Sequence, residues 1–200
     1  MNICRSLAVA GIVAYLLAPA ASLSAPSATQ VVEELHATLI TGMKKADELG
    51  YAGRYEQFAP VVTASFDFPF IARIVVGRYW SSFDDRQKAT FVETFTRLSI
   101  ATYAGRFDHY SGESFKTLSE ERLPRNRILV KTVLVKASGE EVHLDYILRQ
   151  TGDEWRIINV VADGVSDLSL KRADYTCFLK NHDFDALVGK LKEKIDQYSD

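Results

Sequence analysis

The longest regular alternation of apolar and polar positions in the chain runs from Glu141 to Arg149. Val142, Leu144, Tyr146 and Leu148 fall on one parity, and Glu141, His143, Asp145 and Arg149 on the other, with Ile147 the single apolar residue among them. Successive strand residues point to opposite faces, so a period of two with one wet face predicts an antiparallel sheet packed on one side. The stretch Arg127–Ser166 reads as three strands joined by turns at Ser138-Gly139 and Gly152-Asp153. Gly112–Leu123, more ragged and ended by Pro124, reads as a further strand at an edge.

The rest of the chain has helical periodicity. Between Ala28 and Leu49, the residues Val32, Leu35, Leu39, Met43 and Ala46 recur at helical spacing, and Gly50 is a plausible stop. A shorter helix is expected over Arg54–Ala64, with Pro60 a defect or a break. Asp67-Phe-Pro69 offers a cap for a helix through Val76 whose face is Phe70, Ile71, Ile74 and Val75. Ser82-Phe-Asp-Asp85 resembles a capping box opening a long helix that carries Phe91, Phe95, Leu98 and Thr102 and ends near Tyr103–Phe107. Ser166 and Asp183 are expected to cap two final helices, the first running to about Lys180 and the second carrying Phe184, Leu187, Leu191 and Ile195. The expected class is α+β: N-terminal helices, a four-stranded antiparallel sheet, then C-terminal helices that help cover its apolar face.

Composition changes the picture at the N-terminus. Arg5, the apolar run Ser6–Ala18 and the small residues Pro19–Ala25 have the form of a secretory signal peptide, so residues 1–24 are expected to be removed and 25–200 to form one domain. Loss of Arg5 takes the formal charge from −2 to about −3, and no basic stripe interleaved with aromatics suggests nucleic acid. Cys177 is then the only cysteine, which leaves stability to a hydrophobic core. A chain of this length can bury one.

Signals for chemistry are sparse. His36, His109, His143 and His182 lie apart from one another and from any metal-ligand spacing, so each reads as a surface or half-buried histidine and no metal is expected. Cys177 has Asp174 on its own helical face but not His182, and reads as a buried thiol rather than a nucleophile. Asp145 and Tyr146 are the most enzyme-like pair, yet strand neighbours point apart and cannot share a pocket without a bulge. Neither catalytic residues nor a cofactor is expected. The surplus is apolar surface, on the middle strand and on the helices bearing Phe70–Val75 and Phe91–Thr102.

Several of these positions, taken in order, resemble a known family. They are Phe66-Asp67, Ile71-Ala-Arg73, Val76-Gly77 and Trp80; Ala101-Thr-Tyr103, Arg106-Phe-Asp108 and Tyr110-Ser-Gly-Glu113; then Val142-x-Leu144-x-Tyr146-x-Leu148 with Arg149-Gln150, Trp155-Arg-Ile157 and Asp163-Gly164-Val-Ser166. Over about Val31 to Ile195 the chain resembles the MlaC, or toluene-tolerance auxiliary, family of periplasmic phospholipid carriers, and within it the hopanoid-associated HpnM branch. Many relatives carry Asp where this chain has Asn159, which puts the role of the helix arginine Arg172 in doubt.

The resemblance implies a non-enzymatic lipid carrier. Its sheet and helices would enclose acyl chains, and it would exchange phospholipid or hopanoid between an inner-membrane ABC transporter with an MCE-domain ring and an outer-membrane lipoprotein complex. Periodicity and resemblance together name Ile74, Val75, Leu98, Thr102, Val130, Leu144, Tyr146 and Leu148 as the lipid-facing set. The alternative is a cone-shaped α+β enzyme acting on an apolar terpenoid with Tyr146 as acid/base. It needs a second polar group converging on Tyr146, and none is evident in the sequence.

Overall fold

Two capping devices and one glycine set the helical half. In the computed structural model, which describes residues 25–199, the Ser27 side chain accepts from Gln30 N while Gln30 reaches back to Ser27 N, opening α1 (Ala28–Lys44). The expected leader lies outside the described residues. The single helix expected to Leu49 is instead interrupted at Lys45, where α2 (Ala46–Ser65) begins. Gly50, expected as a stop, is a kink inside α2, with φ 58° and ψ −171°. A residue without Cβ enters this conformation without strain. Pro60 neither breaks nor ends α2: it is exposed, and the carbonyl it leaves unpaired, that of Glu56, belongs to another exposed residue. Arg54 is buried at the junction, donating through Nε to Ala104 O (3.1 Å) and through Nη1 to Ala46 O (3.2 Å).

Asp67 caps α3 (Phe68–Val76) by accepting from Phe70 N at 3.1 Å, and Gly77 closes the helix with φ 57°. A 3-10 turn follows over Gly77–Ser82. The capping box expected at Ser82–Asp85 sits two residues later, as a reciprocal pair between Asp84 and Gln87 that opens α4 (Asp85–Arg106). A glutamine at the third helical position can reach back to the cap nitrogen, which the shorter Asp85 cannot do from where it stands.

The sheet is antiparallel, in the order β1 (Ser114–Leu123), β2 (Arg127–Val135), β3 (Glu141–Thr151), β4 (Glu154–Ala162) and β5 (Val165–Ser166). The sheet therefore has five strands, not four. The fifth is a two-residue return in which Val165 and Ser166 pair with Ala162 and Val161, formed as the chain doubles back at Asp163-Gly164. β1 is an edge strand, as its ragged pattern predicts, with a register irregularity between Thr117 and Ser119. Ser166 then caps α5 (Asp167–Phe178), and Asp183 accepts from Ala186 N at the start of α6 (Phe184–Ser199). None of the helices among the described residues is long and apolar enough to cross a membrane.

One core joins the layers. Val32, Leu35 and Leu39 of α1, Phe58 and Val62 of α2, Val75 of α3 and Phe91, Phe95 and Leu98 of α4 bury against Val130, Leu148 and Ile157 of the sheet, with Tyr175, Leu187 and Leu191 closing the far side. Tyr175 meets Phe91 and Phe95 edge-on, at centroid distances of 6.2 and 6.3 Å. The thiol of Cys177, expected to be buried, is exposed. The inward positions of α5 go instead to Tyr175 and, partly, Phe178, which stacks on His182 at 4.1 Å.

Candidate functional site: the half-open end of the inner sheet face

Strand register places the inner-face residues in rows. Phe115, Leu134 and Val142 lie side by side across three strands; then come Thr132, Leu144 and Ala162; then Val130, Tyr146 and Val160; then Ile128, Leu148 and Ile157. On β3 and β4 exposure rises along these rows, while Thr132 of β2 stays buried at 0 %. Leu148 and Ile157 are sealed at 0 % and Tyr146 stands at 2 %. Leu144, Val142, Leu134 and Val160 are half-buried and Ala162 is exposed. The helices therefore cover the Leu148 end of the sheet and stop short of the Val142 end.

Aromatic side chains rim this open end. Tyr103 and Phe107, one turn apart at the end of α4, stack with centroids 5.8 Å apart, and Phe107 reaches Phe115 at 6.3 Å. Leu168 of α5 packs against the same core and is also half-buried. It is held by Asn159, whose Oδ1 accepts from Ser166 Oγ and from Leu168 N, each at 3.1 Å. Asn159 therefore ties the start of α5 to β4 through neutral bonds that an amide oxygen makes as well as a carboxylate. Arg172, exposed, lies against Gly77 rather than Asn159.

Of the eight residues named from sequence and resemblance, Val75, Leu98, Val130, Tyr146 and Leu148 lie in the closed core, while Ile74, Thr102 and Leu144 are half-buried. The Thr102 hydroxyl donates to Leu98 O at 2.8 Å, so its hydrogen bond is spent within its own helix. The β3·β4 ladder has an irregularity between Ile147 and Leu148, with the extra residue, Ile158, on β4, so Asp145 and Tyr146 stay on opposite parities. Tyr103, Phe107, Phe115, Leu134, Val160 and Leu168 at the open end were not singled out as lipid-facing. Phe115 could have been found from its pairing parity with Leu134, but only once the register of the ragged strand was known.

The second polar group at Tyr146 is His36, which was expected at the surface or half-buried and is instead buried, at 5 % exposure. It occupies the α1 stripe between Val32 and Leu39 and stacks face to face on Phe115, centroids 3.8 Å apart and planes 8° apart. Its Nε2 lies 2.9 Å from the Tyr146 hydroxyl. A buried phenol proton needs an acceptor, so the consistent assignment has Tyr146 donating to Nε2 and the histidine proton on Nδ1. Burial pulls the His36 pKa down to about 3 and pushes the Tyr146 phenol up, so the pair is neutral at ordinary pH. Among the described residues there is no group of three or more side chains suited to a metal ion.

With the geometry in place, the chain can be set beside known proteins. A curated protein of Haemophilus influenzae, the intermembrane phospholipid transport system binding protein MlaC, is 27% identical over 127 residues, covering 62% of this chain. The match spans 59% of that relative's own length. A solved structure of a phospholipid-binding protein from Ralstonia solanacearum, in complex with a phospholipid, superposes with a TM-score of 0.76 over 88% of this chain and 100% of that one. At 18% identity this likeness speaks for the fold. The family model described as "MlaC protein" matches residues 31–193, nearly all of the described chain, and the protein belongs to the MlaC family.

Proposed function

We propose that the protein is a periplasmic lipid carrier whose acyl-chain site is entered at the half-open end of the inner sheet face. One observation carries this reading: an apolar rim, with Leu144, Val160, Phe107, Phe115 and Leu168 all half-buried, sits over a sheet face that is closed at its other end. Leu144, Thr102 and Ile74 belong to the first lining met by a lipid, and Val75, Leu98, Val130, Tyr146 and Leu148 to the wall that parts or deepens around it. The Haemophilus phospholipid transport binding protein and the Ralstonia phospholipid-binding protein support phospholipid as the cargo class. A hopanoid is the second cargo, on the resemblance to the HpnM branch. The partners are an inner-membrane MCE/ABC transporter and an outer-membrane lipoprotein complex.

The energetics suit a carrier without catalytic groups. At about 0.8 kcal/mol per buried methylene, a sixteen-carbon chain is worth on the order of 12 kcal/mol to a dry site. Spontaneous release into water is correspondingly slow, and unloading needs an acceptor that takes the lipid directly. Native mass spectrometry of protein purified from its own membrane background should show one bound lipid, and extraction will identify it. Leu144→Trp places an indole at a half-exposed position and is expected to abolish co-purifying lipid with the fold retained by circular dichroism. Full lipid occupancy in that variant would sink the proposed entry. Leu148 does not serve for such a test, because a larger side chain at a sealed position overpacks the core.

The enzyme reading gains one observation, since His36 is the converging group that the sequence did not reveal. Tyr146 is nevertheless sealed and His36 shows only an edge, and their shifts move away from proton exchange at neutral pH. Pure protein is therefore expected to leave terpenoid precursors unchanged. Turnover that disappears in Tyr146→Phe would reverse that reading.

A further inference from the structure

A groove of about 470 Å3 runs along the outer side of α1 beside the loop that leads from α4 into β1. This is within the roughly 300–1,000 Å3 range of small-molecule sites. Its chemistry is divided along its length. Glu33 and Lys44 stand eleven residues apart on one helix, about 16 Å at 1.5 Å per residue. Between them the wall is apolar, and Phe115 and the edge of His36 form the floor. Glu113 and Tyr110 face them from the loop.

Both carboxylates are oriented by short hydrogen bonds. Glu33 Oε1 accepts from Thr117 Oγ1 at 2.9 Å, and Glu113 Oε2 accepts from Ser111 N at 2.6 Å. These contacts orient the acids and leave Glu33 Oε2 without a partner among the described residues. The Lys44 ammonium lies 5.2 Å from the Tyr110 ring centroid and forms no ion pair among the described residues. His36, buried at 5 % exposure, spends Nε2 on Tyr146 and leaves Nδ1 without a partner among the described residues.

Two acids, one base, an aromatic ring and a neutral imidazole donor suit a ligand that carries both signs of charge. A bare anion would meet Glu33 and Glu113, and a bare cation would meet Lys44. We propose that this groove seats the headgroup of a zwitterionic phospholipid, its phosphate toward Lys44 and the His36 Nδ1 proton and its ammonium toward Glu33 and Glu113. The proposal rests on the carrier reading above and deepens it. Phe115 connects the two places, stacked on His36 at the groove and reaching Phe107 at the half-open apolar end. A lipid lying across Phe115 would keep its chains under the helices and its headgroup in the groove.

The test is competitive loading of delipidated protein from vesicles holding equal amounts of phosphatidylethanolamine and phosphatidylglycerol, with bound lipid read by mass spectrometry. The wild type is expected to favour the ethanolamine lipid by about fivefold, the scale of one or two partly exposed charge contacts. The double variant Glu33→Gln/Glu113→Gln should bring the ratio close to one, and Glu193→Gln on α6 should leave it at the wild-type value. Equal loading by the wild type, or a ratio unmoved in the double variant, overturns the headgroup assignment while leaving the carrier reading in place. Failure to load either lipid overturns both. Glycerophosphoethanolamine, the same headgroup without chains, should not displace bound lipid; if it does, the groove is a site for free headgroup and the proposal fails.

Discussion

Lowering the pH from 7 to 4 is expected to remove about 3 kcal/mol of folding stability through His36 alone. The folded-state pKa is depressed to about 3, against an ordinary value of 6.5. Between those values the unfolded chain binds a proton that the folded site refuses, so stability is complete above pH 6.5 and is lost as the pH falls toward 3. The cause is burial: the imidazole lies between Phe115 and Tyr146, and a charged ring there would lose both its hydration and its role as acceptor for the phenol. Urea unfolding at pH 7, 5 and 4 measures the slope. In His36→Gln, which keeps an acceptor near Tyr146 but cannot ionise, the slope should flatten by that amount. An unchanged slope in the variant would assign the acid sensitivity to other groups.

Asp67→Ala should cost about 3 kcal/mol, on the order of 10 °C in Tm for a chain of this size. Three contacts leave together: the cap on Phe70 N, the ion pair from Arg149 Nε at 2.8 Å, and the bond from the Thr151 hydroxyl at 3.0 Å. A cap is worth about 1 kcal/mol. Breaking a buried pair costs about 3–5 kcal/mol, but Arg149 is 34 % exposed and can recover water, so the ion-pair share is nearer 2 kcal/mol. The Asp67 backbone N–H also donates to Ile157 O at 2.9 Å, and this survives the substitution. Asp67→Asn keeps an acceptor for the cap and loses only the ionic part, so its Tm should fall by roughly two thirds as much. Equal losses in both variants would show that charge, not capping, accounts for the whole effect.

Much of the architecture was legible because it rests on local signals. The alternation of Val142 to Leu148 announced a one-sided strand, and Asp67, Ser166 and Asp183 marked helix starts that the structure contains. Errors arose where tertiary context overrode a local sign. Gly50 looked like a stop, but its φ of 58° serves as a bend within a continuing helix. Cys177 looked buried by residue type, but Tyr175 holds the inward position of α5.

The candidate site was less legible for a related reason. Which end of the inner face stays open depends on where α4 and α5 stop, and helix-end placement is a packing outcome. Two residues on one strand, Leu144 and Leu148, are identical by period, yet one is half-buried and the other sealed. His36 was hidden by its neighbours in sequence, Glu33, Glu34 and Ala37, which gave no sign that a tyrosine more than a hundred residues away would meet it.

The free edge of the sheet bears on how the protein behaves when crowded. Among the described residues β1 has no strand on its outer side and presents unpaired backbone groups there, the template on which a second copy could add a strand. The register irregularity at Leu118 interrupts that template midway, and the flanking Lys116, Glu120, Glu121 and Arg122 are all exposed and charged. Two aligned copies would confront a broken hydrogen-bond ladder and a row of charges to desolvate. Edge-to-edge growth into fibres is thereby discouraged, and light scattering should stay flat as the concentration of the folded protein is raised.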